Sequence, residues 1–102
     1  MKTTVVRYKV KSDRAGENVA YIKKVFEQLS REAPGGLRYC SFQLDDGVSF
    51  IHIAAMDDSL QSNPLTAVSA FKEFVSNIAD RCDEPPRAVS ANLIGAYATF
   101  GA

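Results

Sequence analysis

The sequence predicts an α+β fold, a four-stranded antiparallel sheet carrying two helices on one face. Three observations predict it. Apolar residues alternate with polar ones near the start, in the middle and near the end. Between these stretches lie two segments whose apolar residues recur at helical spacing. The resulting order is strand, helix, strand, strand, helix, strand. With 102 residues, 46% of them hydrophobic and 24% charged, the chain fits one domain, residues 1–102, with a real core.

The first strand is expected over Thr3 to Lys11. Val6, Tyr8 and Val10 fall on one face, and Val5, Arg7, Lys9 and Lys11 on the other. Ser12 or Asp13 then suits the cap of a helix whose stripe is Val19, Ile22, Phe26 and Leu29. Pro34-Gly35-Gly36 ends that helix. Leu37 to Leu44 and Val48 to Met56 read as a hairpin turning at Asp45-Asp46-Gly47. After a polar loop, Asn63-Pro64 opens the second helix, with Asn63 at the cap. Its stripe is Leu65, Val68, Phe71, Val75 and Ile78, widened by Phe74. Pro85-Pro86 is expected to break the chain before a last strand over Arg87 to Phe100. This order is that of the split βαβ, ferredoxin-like arrangement.

Two hairpin registers are open, and they place different side chains together. A two-residue turn at Asp46-Gly47 pairs Asp45 with Val48 and puts Cys40, Phe42, Leu44, Ser49, Ile51 and Ile53 on one face, away from His52. A three-residue loop pairs Leu44 with Val48 and puts Arg38, Cys40, Phe42, Phe50 and His52 together. The second separates apolar from mixed more cleanly and is the expected register. It sets His52 opposite Cys40, near Arg38, on the face that meets the helices. The remaining sheet face still carries Tyr39, Ile51, Ile53 and Val5, which points to a self-associating sheet.

Charge and motifs exclude several functions. Twelve basic residues balance twelve acidic ones, which argues against nucleic acid, where phosphate neutralisation needs a basic excess. The aromatic positions of an RNA-recognition strand are filled by Val48 and Ile53. No apolar run approaches the roughly 20 residues of a membrane helix. The start lacks the layout of a signal peptide, so a cytoplasmic location with reduced thiols is expected. Cys40 and Cys82 lie 42 residues apart with no Cys/His cluster, so no metal is expected. Glycine-rich phosphate loops and nucleophile-elbow motifs are absent. His52, the single histidine, is the natural proton acceptor near neutral pH.

The chain resembles dimeric α/β-barrel proteins of the antibiotic biosynthesis monooxygenase type. The resemblance runs from Thr3 to Phe100. It rests on the strand Val5 to Lys11, on Pro34-Gly35-Gly36-Leu37-Arg38-Tyr39, on Phe50-Ile51-His52-Ile53-Ala54, on Phe71-Lys72-Glu73-Phe74 and on the Pro85-Pro86 break. It implies a homodimer joined through the sheet and a cleft between each sheet and its helices. Some such proteins oxidise electron-rich polycyclic phenols with dioxygen and no cofactor, using a tryptophan–asparagine–arginine–tyrosine constellation. This chain has no tryptophan. In it the resemblance makes His52 the base and Arg38 the anion stabiliser. Tyr8 and Asn92 would orient a small aromatic ligand, and Cys40, Phe50 and Phe71 would line the cleft. The competing expectation is a non-catalytic small-molecule-binding or stress-response barrel.

Overall fold

The structure is a computed structural model that describes residues 1–99. Strand β1 spans Lys2–Val10, helix α1 Ala15–Glu32, β2 Leu37–Gln43 and β3 Ser49–Met56. Helix α2 spans Ser69–Ser76, the single-turn α3 Ile78–Arg81 and β4 Cys82–Ala91. Short 3-10 turns over Ser12–Arg14 and Pro64–Ala67 lead into α1 and α2. The sheet order is β2-β3-β1-β4, and each neighbouring pair is antiparallel. This is the expected ferredoxin-like arrangement.

The core lies between the sheet and the helices. Tyr8 and Val10 of β1, Phe50 of β3, Val25 of α1 and Phe74 of α2 are buried together there. The deepest line on α1 is Asn18, Val25 and Gln28 rather than an all-apolar stripe. Gln28 earns that depth by accepting from the N–H of Ala70 (2.9 Å) and from Ser69 Oγ (3.1 Å) at the start of α2. Its own amide donates to Glu32. Ser12 and Asp13 make no side-chain cap; Arg14 and Glu17 hold the first turn instead, with Arg14 Nε 2.7 Å from Glu17 Oε1. Asn63 caps as expected, its side chain accepting from the N–H of Leu65 at 2.9 Å.

The hairpin departs from the expected register. Ser41 faces His52 and Tyr39 faces Ala54, the pairing that a two-residue turn would also give. The turn chemistry decides it. The Asp46 carboxylate accepts from the N–H groups of Val48 and Ser49 and from Ser49 Oγ, while Gly47 adopts a left-handed φ of 78°. These bonds hold the Asp46 carboxyl down to about 2. Tyr39 and Ser41 therefore turn inward with His52, and Arg38 and Cys40 turn outward, because successive strand residues point to opposite faces.

The last strand also starts earlier than expected. Pro85 and Pro86 lie inside β4, where the pairing to β1 shifts register between Arg7 and Lys9. An edge strand tolerates prolines at such an irregularity because their missing N–H groups need no ladder partner. The strand stops at Ala91, and Phe100, its expected end, lies outside the described residues. Among the described residues no helix is long and apolar enough to cross a membrane.

Candidate functional site

The inward faces of β1, β2 and β3 bring four polar side chains to one place. His52 is only 4% exposed. Its Nε2 lies 2.7 Å from Tyr8 Oη, and its Nδ1 lies 2.7 Å from Tyr39 Oη and 2.8 Å from Ser41 Oγ. The cross-strand pairs Val6–His52 and Ser41–His52 create this meeting, since neighbours of paired residues on the same face come within side-chain reach. Aromatic rings close around the imidazole: Tyr8 and Phe74 have centroids 5.3 Å from it, and Tyr39 5.8 Å.

The polar contacts continue inward. Asn18 Nδ2 donates to Tyr8 Oη at 2.9 Å, and Arg81 Nε donates to Asn18 Oδ1 at 3.2 Å. Arg81 is completely buried. Its remaining nitrogens donate to Asn77 Oδ1 and to the carbonyl of Phe74, and its plane lies 4.5 Å from the centroid of Tyr21. Among the described residues no carboxylate comes within ion-pair distance of it. Glu17, held low chiefly by the hydrogen bond from Arg14, also feels Arg81 at longer range. Five side chains, Arg81, Asn18, Tyr8, His52 and Tyr39, thus form one buried hydrogen-bonded row.

A cavity of about 380 Å³ opens beside one end of the row. Tyr8, Tyr39 and His52 meet on its wall, and Thr4 and Asn63 are the other polar side chains that line it. Val6, Ala54, Leu65, Phe71, Phe74 and Ile78 make most of the rest. A pocket of this size, largely apolar with a few convergent polar groups, has the dimensions of a small-molecule site. Burial pushes the imidazole down to about 4, so His52 is neutral at pH 7 and able to accept a proton. Burial also raises both tyrosines, Tyr39 to about 12, so both hydroxyls keep their protons. Among the described residues no three His, Cys, Asp or Glu side chains gather as a metal site would need.

Of the residues expected at the site, His52, Tyr8 and Phe71 line the cavity. Phe50 lies behind it, stacked on Tyr8 with centroids 5.5 Å apart. Arg38 and Cys40 do not join them: the register turns both to the opposite sheet face, and Arg38 is exposed. Asn92 is exposed beyond the end of β4. Sequence reasoning missed Asn18, Ser41 and Arg81, and its expected register turned Tyr39 to the opposite sheet face. A signal existed for two of them. Asn18 sits four and seven residues before Ile22 and Val25, and Arg81 three after Ile78, so both extend apolar stripes.

No protein-family model matches the sequence. No curated protein matches it. Solved structures do. A "Putative antibiotic biosynthesis monooxygenase from Nitrosomonas europaea" is 25% identical, with a TM-score of 0.68 over 93% of this chain and 100% of that one. NE2512, a protein of unknown function from the same organism, is 16% identical, with a TM-score of 0.72 over 98% and 96%. SnoaB, a cofactor-independent oxygenase from Streptomyces nogalater, is 16% identical, with a TM-score of 0.64 over 96% and 97%.

The neutral buried imidazole has a consequence for stability. An unfolded chain binds a proton at His52 below its ordinary value of 6.5, whereas the folded chain refuses it until about 4. The stabilising difference is therefore full above 6.5 and is lost as pH falls toward 4. Urea unfolding at ~pH 7.5 and ~pH 4.5 should show the protein losing roughly 2–3 kcal/mol more than His52→Gln over that interval. Parallel pH profiles for the two would contradict the assignment.

Proposed function

As a ferredoxin-like chain of the antibiotic biosynthesis monooxygenase-like family, this protein is, we propose, a cofactor-independent monooxygenase of an electron-rich aromatic or quinol-type molecule. One observation carries the reading. A neutral imidazole and two tyrosine hydroxyls meet on the wall of a largely apolar cavity between sheet and helices. Phenols with an acidic C–H or O–H need a base and donors for the resulting anion, and little else from the protein.

In this reading the ligand lies against Phe71 and Phe74 with its oxygen toward Tyr39 and Tyr8. His52 takes the substrate proton. Both its ring nitrogens are already hydrogen-bonded, so the proton reaches it through the hydroxyls that hold it. An anion in the cavity raises the imidazole's proton affinity, because opposite charge favours the imidazolium. The tyrosine hydroxyls donate to the anion's oxygen. The carbanion form then reduces dioxygen to a hydroperoxide. Loss of water completes the change: a CH2 and O2 become C=O and H2O, one oxygen atom going to each product.

The second reading is a ligand-binding barrel without catalysis. The saturated hydrogen bonding of His52 favours it, since an imidazole with every nitrogen engaged also serves as pure structure. Oxygen uptake with an anthrone or a naphthalenediol separates the two. The oxygenase reading expects substrate-dependent uptake, reduced at least ~10²-fold in kcat/KM by His52→Gln. Uptake equal in both proteins would sink it.

A second copy of the chain completes the proposal. The sheet face away from the helices leaves Val5, Phe42, Ile51 and Ile53 only half-buried, while Val89, Leu93, Ile94 and Tyr97 are exposed, Ile94 at 96%. Apolar surface on this scale marks an interface. Sedimentation equilibrium should return twice 11.1 kDa. A species of 11.1 kDa at micromolar concentration rules the pairing out.

A further inference from the structure

The buried row has a direction, and Arg81 sets it. A guanidinium can only donate, so the oxygen of the Asn18 amide must face Arg81. Its NH2 group then faces Tyr8 and can only donate to it. Tyr8 Oη has one proton of its own, and His52 Nε2 is the acceptor 2.7 Å away. Were Nε2 to carry a proton instead, two donors would converge on Tyr8 Oη. Among the described residues the side-chain partners of Tyr8 Oη are Asn18 and His52, so the Tyr8 proton would then lack a protein acceptor, an arrangement that burial penalises. On the far side of the ring, the hydroxyls of Tyr39 and Ser41 can each accept from Nδ1.

We propose that Asn18, oriented by the buried Arg81 guanidinium, is a positioning residue that fixes His52 as the Nδ1–H tautomer through the Tyr8 hydroxyl. This deepens the oxygenase reading and rests on it for its catalytic meaning. Nε2 becomes the unprotonated nitrogen, its lone pair accepting from Tyr8, and Tyr8, which lines the cavity, becomes the relay to it. A proton leaving the substrate lands on Tyr8 Oη while the Tyr8 proton passes to Nε2. Neither Asn18 nor Arg81 lines the cavity, so neither touches substrate. Their effect is on which nitrogen accepts.

The chain has a single histidine, so its ring nitrogens need no assignment in a 15N-labelled sample. Long-range 1H–15N correlation at neutral pH should show Nδ1 protonated and Nε2 as the bare acceptor. Asn18→Asp is nearly isosteric and reverses the polarity at one point, because a carboxylate accepts from both Arg81 and Tyr8. The Tyr8 proton then turns to Asp, and His52 should switch to the Nε2–H tautomer, accepting at Nδ1 from Tyr39 or Ser41. An Nε2–H tautomer in the unsubstituted protein overturns the proposal, and this holds even if Asn18→Asp fails to fold. An unchanged tautomer in a folded Asn18→Asp also overturns it. Oxygen uptake is read separately. Both tautomers as expected with no uptake in either protein supports the positioning role while removing the oxygenase reading.

Discussion

A buried cation with no carboxylate beside it among the described residues constrains the rest of this structure. Taking a guanidinium out of water costs several kcal/mol unless its donors are met, and Arg81 meets them with neutral partners. Asn18 on α1, Asn77 between α2 and α3, and a carbonyl of α2 each take one nitrogen. Tyr21 and Phe74 cover its faces. The backbone oxygen of the same residue accepts from the N–H of Lys11, which ties the end of α3 to the end of β1. One side chain therefore fixes both helices against each other and passes its polarity to the sheet through Asn18.

That polarity ends at His52, where the structural and chemical requirements coincide. Every buried polar group in the row has a partner, as a dry interior demands. Burial holds the imidazole neutral, and the hydrogen bonds aim its ring. The cavity begins where the row meets Tyr8 and Tyr39, so a ligand there touches groups whose geometry is already set by contacts behind the wall. Preorganisation of this kind suits anion stabilisation, because the donors need no rearrangement when charge develops.

Much of the fold was legible in the sequence. Alternation at Val6, Tyr8 and Val10, the glycines after α1 and Asn63-Pro64 each gave an element its place. The hairpin register was not legible from apolarity, because the inward face of β2 carries Tyr39 and Ser41 and the outward face Cys40 and Phe42. Hydrogen bonding to His52 and the Asp46 turn outweighed the cleaner apolar pattern. Pro85-Pro86 read as a break because prolines disfavour ladders, yet β4 is an edge strand and accommodates them. Burial of the site's histidine was foreseen, but its neighbours were displaced by one residue along β2, which exchanges Arg38 and Cys40 for Tyr39 and Ser41. The stripe positions of Asn18 and Arg81 signalled their burial, but their roles exist only when two helices and a strand meet.

A phenolic ligand is expected to bind against the cavity wall that Tyr8, His52 and Tyr39 share. Titration of 15N-labelled protein with 1-naphthol tests it most directly, because the single imidazole reports from inside that wall. Binding there should produce a saturable shift of the His52 ring signals together with those of the Tyr39 and Phe71 rings. Saturable naphthol binding that leaves the His52 signals unmoved would contradict it, as would no binding at all.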